Sequence, residues 1–252
     1  MGRDSYTIVS NGKTQKIALL VESPKAAEVE SAMEQFGYAN LCKIKNITRD
    51  MSSTYDLVIN DLCPRAVQVT DKFHVLKYVY ASVGDVRKQT IKDMQNNLTK
   101  GKTQTTADKE ILRAITLLQN VNHAITQSPD KWDKDMQNTM NQVFAKHRKL
   151  QTACEISQKF KQWYDYQNHI KPIEKIQKEL HDIYKQTIEI EEFNGVVKMF
   201  GKHEKEILNY FRNGLSNSKA ENPNGKLQRF ISANFGIKDN VFFLYRTAGY
   251  FS

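Results

Sequence analysis

No stretch of this 252-residue chain approaches the 18 or so consecutive apolar residues that a membrane-crossing helix needs. The opening residues, MGRDSYTIVSNGK, hold no apolar secretory core. Gly2 matches only the start of a myristoylation pattern, because Tyr6 stands where Ser or Thr is wanted. Cysteine is scarce: Cys42, Cys63 and Cys154 are odd in number and lack paired spacing. That excludes a disulfide framework and a zinc ribbon, and leaves reduced thiols in a cytoplasmic protein as the plain reading. There is no internal repeat and no Pro-rich or Gly/Ser-rich linker, so the helical block over 72–212 is expected to be packed and not tethered.

What is present is ordinary in amount and uneven in placement. Hydrophobic residues make up 40% and charged residues 26%, which suits a globular protein of one large or two small domains. The formal charge is +9, but residues 1–71 hold 8 Lys/Arg against 9 Asp/Glu. Residues 72–113 hold 9 against 4, and residues 217–252 hold 5 against 2. A basic excess confined to particular segments points to a polyanionic partner, although many basic proteins bind none.

The first 71 residues alternate between strand and helix signals. A β-prone run at 6–9, the turn Asn11-Gly12 and the run KIALLV at 16–21 predict a hairpin. Ser23-Pro24 opens a helix with Glu28 and Glu30 early in it, an apolar face of Val29, Met33 and Phe36, and a stop at Gly37. A third strand is expected over 41–48, then a helix capped by Ser52 or Ser53 and stopped by Pro64, then a fourth strand, AVQVT, over 66–70. Two successive β-α-β steps predict one sheet with parallel crossovers. Beyond Asp71 the period becomes helical. Phe73, Leu76, Val79, Tyr80, Val83 and Val86 recur at helical spacing. Residues 98–106 read as a loop, 111–121 and 136–160 as helices, 170–190 as an amphipathic helix, and Asn213-Gly214 as a break. The C-terminal tail is dense in aromatics, which fits core packing or, alternatively, base stacking.

Three carboxylates invite a chemical reading. Asp50 directly follows the third strand and Asp71 the fourth, at the carboxyl ends where open α/β sheets hold ligands. Each serves equally well as a helix cap. His74 fits a ligand or a buried, hydrogen-bonded side chain. Glu221 is a single acid in a run of Asn, Lys and Arg that leads into FFLYR. Alone it reads as a solvated helix residue, yet beside a nucleic-acid backbone it would suit a cation. Phosphodiester chemistry commonly uses two divalent ions held by two or three converging carboxylates.

Taken in order, the strand Tyr6-Thr7-Ile8, the segments ITRDMSSTY and CPRAVQVTDKFHVLK, a long helical block, and SNSKAENPNGKLQRF followed by FFLYR resemble insertion-sequence transposases of the ISL-three type. The resemblance covers nearly the whole chain, and the T-D-K-F-H-V and S-N-x-x-A-E-x-x-N-x-K elements are specific in combination. It implies an α/β fold: a ribonuclease-H-like mixed sheet over 1–76 and 215–252, interrupted by an all-helical insertion over 77–214. It also implies a DDE triad and DNA strand cleavage and transfer at insertion-sequence ends. Asp50 then resembles the second Asp and Glu221 the final Glu, together holding Mg²⁺ or Mn²⁺ in a two-ion site. Asp71 and His74 match the family's D-x-F-H element and are read as architectural or DNA-facing. Lys72, Lys77, Lys226, Arg229 and Arg246 are candidates for holding the DNA backbone, or are simply solvated charges. Pro223 is tolerated only in a helix's first turn, which puts Glu221 at a helix start.

In the family the first catalytic Asp precedes the Tyr-Thr-Ile strand. Here it falls before Met1, and Asp4 does not replace it. The resemblance therefore implies an N-terminally truncated, nucleoid-associated transposase with the first strand of the sheet missing and little activity alone. Its open sheet edge would favour homo-oligomers. The competing readings are a non-catalytic module that binds DNA or a transposase, and a helical interaction protein whose acids are caps.

Overall fold

The computed structural model describes residues 6–14, 16–98, 105–164, 170–213, 229–230 and 246–247. The chain divides into two compact units, one formed by Met1–Lys72 with Lys205–Ser252, the other by Phe73–Glu204.

In the first unit, β1 (Thr7–Ser10) and β2 (Ile17–Val21) pair antiparallel as the expected hairpin. The Asn11 side chain accepts from the amides of Lys13 and Thr14 and so shapes the turn. Helix α1 (Ala26–Glu34) follows Ser23-Pro24 and buries Val29 and Met33. Gly37, at φ 77°, then turns the chain into a conformation that L side chains resist. The next residues form a single helical turn, α2 (Tyr38–Leu41), tied by Leu41 N–H to Gly37 C=O at 3.1 Å and by the Asn40 amide to Phe36 C=O at 2.9 Å. The third strand is accordingly shorter and later than predicted: β3 is Asn46–Arg49. Helix α3 (Ser53–Leu62) has Ser52 at its N-cap position, and β4 (Val67–Thr70) pairs parallel with β3.

The single sheet with two parallel crossovers is not what the described residues form. They make two separate two-stranded sheets, β1-β2 and β3-β4. Only the β3-α3-β4 step pairs its strands in parallel. Apolar burial joins the pieces instead. Val29 and Met33 of α1 and Val58, Ile59 and Leu62 of α3 form one cluster, against which Val9, Leu19 and Ile47 pack from both sheets. Thr7 adds a polar stitch, donating to Ser23 C=O at 2.8 Å and lying 3.3 Å from the Tyr55 hydroxyl of α3.

The second unit is helical throughout its described residues. Helix α4 (Lys72–Asn96) buries Val75, Leu76, Val79, Val83 and Val86, whereas Phe73, at the same helical spacing, is exposed. Helix α5 (Thr106–Asn120) starts at a Thr105/Asp108 capping box. The long helix expected over 136–160 is two, α6 (Lys134–Lys146) and α7 (Arg148–Trp163), broken where His147 adopts φ −128°, ψ 72°. Helix α8 (Ile173–Thr187) is the amphipathic segment, tied to α7 by Trp163 Nε1–H donating to Ile176 C=O at 3.0 Å. Phe160 of α7 stacks on Phe200 of α9 (Asn194–Asn213) at 5.2 Å between ring centroids. Helix α9 leaves helical geometry at His203 and passes from the second unit to the first.

Candidate functional site

The parallel register puts Arg49 beside Thr70, and Asp71 N–H continues the ladder to Arg49 C=O at 3.1 Å. Asp50 and Asp71 therefore follow the last residues of neighbouring parallel strands, side by side at their carboxyl ends. Asp50 is half-buried, and its Oδ1 accepts from Ser52 N–H at 2.9 Å. That bond shapes the turn into α3, but Ser52, not Asp50, holds the N-cap position, and the Ser52 side chain makes no cap bond. Asp50 Oδ2 has no hydrogen bond among the described residues. Asp71 is buried, 3% exposed, directly before α4. The buried Tyr210 phenol of α9 is pushed up, first by burial and then by the Asp71 charge. Beside it the Thr70 hydroxyl is fully buried and has no hydrogen-bond partner among the described residues.

Sequence reasoning missed the residue that organises this end of the sheet. Arg49 has a side chain only 6% exposed. Its Nε and Nη2 donate to Gln68 Oε1 of β4 at 3.0 and 2.9 Å, and Nη2 also pairs with Asp56 Oδ1 of α3. Its Nη1 donates to Asp50 C=O at 2.8 Å. Gln68 donates in turn to Asn60 Oδ1 at 2.9 Å, and its carbonyl accepts from Asn209 Nδ2 of α9 at 2.9 Å. The available signal was positional: an arginine ending a strand must find partners if it is buried, and Asp56 and Gln68 lie where an α3 and a β4 would offer them.

The remaining candidates are dispersed. Lys77 is exposed on α4, and Lys72 and His74 are half-buried in its first turn. Arg229 and Arg246 are exposed, with the Arg246 guanidinium 5.9 Å from the Phe230 ring centroid. Glu221 and Lys226 lie outside the described residues, as does most of the aromatic tail. Among the described residues no group of three or more His, Cys, Asp or Glu is placed to hold a metal ion. At the strand ends Asp50 Oδ2 and the Thr70 hydroxyl are oxygens of the kind that Mg²⁺ or Mn²⁺ takes, although the Arg49 guanidinium, paired with Asp56, lies against the Asp50 carbonyl. All three cysteines are free. Burial pushes the Cys154 thiol up to about 12, which makes it a poor nucleophile. No helix among the described residues is long and apolar enough to cross a membrane.

No curated protein and no solved structure matches the chain. A family model for DDE transposases of the ISL3 type, described as "Transposase", matches residues 1–247. A match over that share of the chain settles its kinship: the protein belongs to the ISL3-type DDE transposase family.

Proposed function

We propose that this chain acts on DNA as a transposase catalytic core, in divalent-ion-dependent strand cleavage and transfer at insertion-sequence ends. Residues 1–76 and 215–252 form a ribonuclease-H-like core in this reading, and 77–214 a helical insertion. The observation that carries it is Asp50 at the carboxyl end of β3, in the parallel pair with β4, within a chain of this family. Asp50 and Glu221 are the residues that would hold Mg²⁺ or Mn²⁺. The ion, when bound, supplies neutralisation of phosphate charge and activation of the attacking oxygen.

The reaction is in-line displacement at phosphorus by water or by a DNA 3′-hydroxyl. The chain's own contribution begins with Asp50, whose carboxylate is oriented by the Ser52 amide and keeps Oδ2 available. Preorganisation of this kind costs nothing at the moment of reaction. Asp71, buried directly after β4, and His74 are architectural or DNA-facing in this reading. Lys72, Lys77, Lys226, Arg229 and Arg246 hold phosphates and set position without reading sequence.

The test uses the full chain in two titrations. Fluorescence anisotropy of a labelled duplex carrying the element end should show affinity falling roughly 500-fold between 50 and 200 mM salt if about five phosphates are contacted. Mn²⁺ binding, followed by electron paramagnetic resonance, should be lost in both Asp50→Asn and Glu221→Gln. Salt-insensitive DNA binding, or Mn²⁺ affinity unchanged in both variants, would sink the reading. Mg²⁺-dependent nicking abolished by Asp50→Asn identifies the chain as catalytic by itself. DNA binding without a nick leaves the non-catalytic module.

A further inference from the structure

We propose that Arg49 is a positioning residue for Asp50, and that Asp56 is present to neutralise it. This rests on the reading of Asp50 as a metal-holding carboxylate. The geometry is unusual for a purely structural arginine. One guanidinium collects acceptors from three places: the Gln68 side chain on β4, the Asp56 carboxylate on α3, and the backbone carbonyl of Asp50 itself. The first two fix the guanidinium plane, and the third transfers that fixity to the residue whose carboxylate matters. Asp50 is thereby held twice, at its carbonyl by Arg49 and at Oδ1 by the Ser52 amide. A carboxylate at the mouth of a short strand, four residues long, would otherwise move with the turn that follows.

A buried cation one residue from a cation site poses an electrostatic problem. Unpaired, it would repel the ion that Asp50 is meant to attract. The Asp56 carboxylate, 21% exposed, lies on the guanidinium and cancels its charge locally. Arginine then acts there as a rigid hydrogen-bonding fork and not as a charge. Lysine cannot replace it, because a single ammonium does not reproduce the planar fork that serves all three acceptors. Gln68 is itself braced by Asn60 and, through its carbonyl, by Asn209, so the tether ends on anchored groups.

The experiment compares wild type, Arg49→Met, Arg49→Lys and Asp56→Asn in the full chain, with Asp50→Asn as the reference for the site. The first readout is hydrogen exchange at the Ser52 amide against the β1-β2 hairpin amides. Arg49→Met and Arg49→Lys should each speed Ser52 exchange at least tenfold while hairpin exchange is unchanged. The second is Mn²⁺ affinity well below the melting temperature. It should weaken at least fivefold in both Arg49 variants, and in Asp56→Asn even though Ser52 stays protected. Ser52 exchange unchanged in both Arg49 variants overturns the proposal, as does full rescue of both readouts by lysine. If Asp50→Asn leaves Mn²⁺ affinity unaltered, the metal reading of Asp50 falls, and Ser52 exchange still decides whether Arg49 tethers it. Should Arg49→Met not fold, Arg49→Lys gives both readouts.

Discussion

Replacing Phe160 by Ala tests whether the helical unit carries its own core. Phe160 is fully buried on α7, and its ring stacks nearly parallel, at 10°, on Phe200. Removing a buried phenyl ring typically costs about 3–5 kcal/mol, of which the aromatic pair accounts for roughly 0.5–1.5. Against a domain stability of about 5–15 kcal/mol that is a large fraction. Both tryptophans of the chain, Trp132 and Trp163, lie in this unit, and Trp163 is on the same helix as Phe160. A urea titration followed by tryptophan fluorescence therefore reports this unit, and with a slope near 2 kcal/mol/M the midpoint should drop by about 1.5–2.5 M. Phe160→Leu, which keeps most of the volume, should lose less than half as much. Topology adds a directional expectation. The helical unit is one continuous segment, whereas the other is closed from two. Unfolding the insertion turns it into a flexible loop of roughly 130 residues, whose closure costs about 4 kcal/mol. Val29→Ala in the α1 core, at about 2 kcal/mol, should thus leave the tryptophan transition in place. Phe160→Ala should draw the hairpin amides into the earlier transition. A loss below 1 kcal/mol for Phe160→Ala, or equal losses for Ala and Leu, would refute the packing argument. A tryptophan midpoint that follows Val29→Ala would refute the independence of the insertion.

Other expectations are local. Asn209 Nδ2–H meets the Gln68 carbonyl across 141 positions of sequence, so Asn209→Ala leaves that acceptor without its partner and should cost about 1–3 kcal/mol in the first unit, read as faster exchange of β4 amides. A thermal melt with unchanged β4 protection would contradict this. His147 sits at the α6-α7 break, and burial first, then the Lys146 charge, depresses its pKa below the ordinary 6.5. The folded state thus favours the neutral ring. Its contribution is complete above pH 6.5 and is lost as pH falls from there through the depressed folded value, so the tryptophan-detected midpoint should decline over that range. In His147→Gln this part of the decline should vanish, and its persistence would place the titration elsewhere. In the capping box of α5, Asp108→Ala removes the acceptor of Thr105 N–H and should cost about 1 kcal/mol, measured as a lower midpoint in the same urea titration.

How far the chain could be read in advance depended on the range of the forces involved. The β1-β2 hairpin was legible because Asn11-Gly12 is a local turn signal between two β-prone runs. The β3-α3-β4 step was legible because Pro64 and the Ser52-Ser53 pair mark the helix ends. The break at His147 was not, since nothing at 145–148 resembles a helix breaker and the unbroken apolar period concealed it. The third strand was expected to begin at Leu41, and no element was expected over 38–40. In fact a glycine at positive φ leads into a helical turn, Tyr38–Leu41, that buries Leu41. Phe73 fitted the helical period of α4 and yet faces outward, because periodicity marks a stripe and not what covers it.

Unaided, the amino-acid order was sufficient for the kinship, for the alternation of elements up to Asp71, for the helical character beyond it, and for Asp50 and Asp71 as strand-end carboxylates. Those features rest on motif spacing, propensity and turn chemistry, which act over a few residues. Tertiary structure alone decided that the strands form two small sheets sharing the α1-α3 core, that Arg49 is buried and holds the Asp50 carbonyl, and that Asn209 meets Gln68. These outcomes depend on which surfaces are removed from water together. A buried guanidinium takes whatever acceptors the packed elements bring within reach, and its position at a strand end suggests those partners only once burial is known.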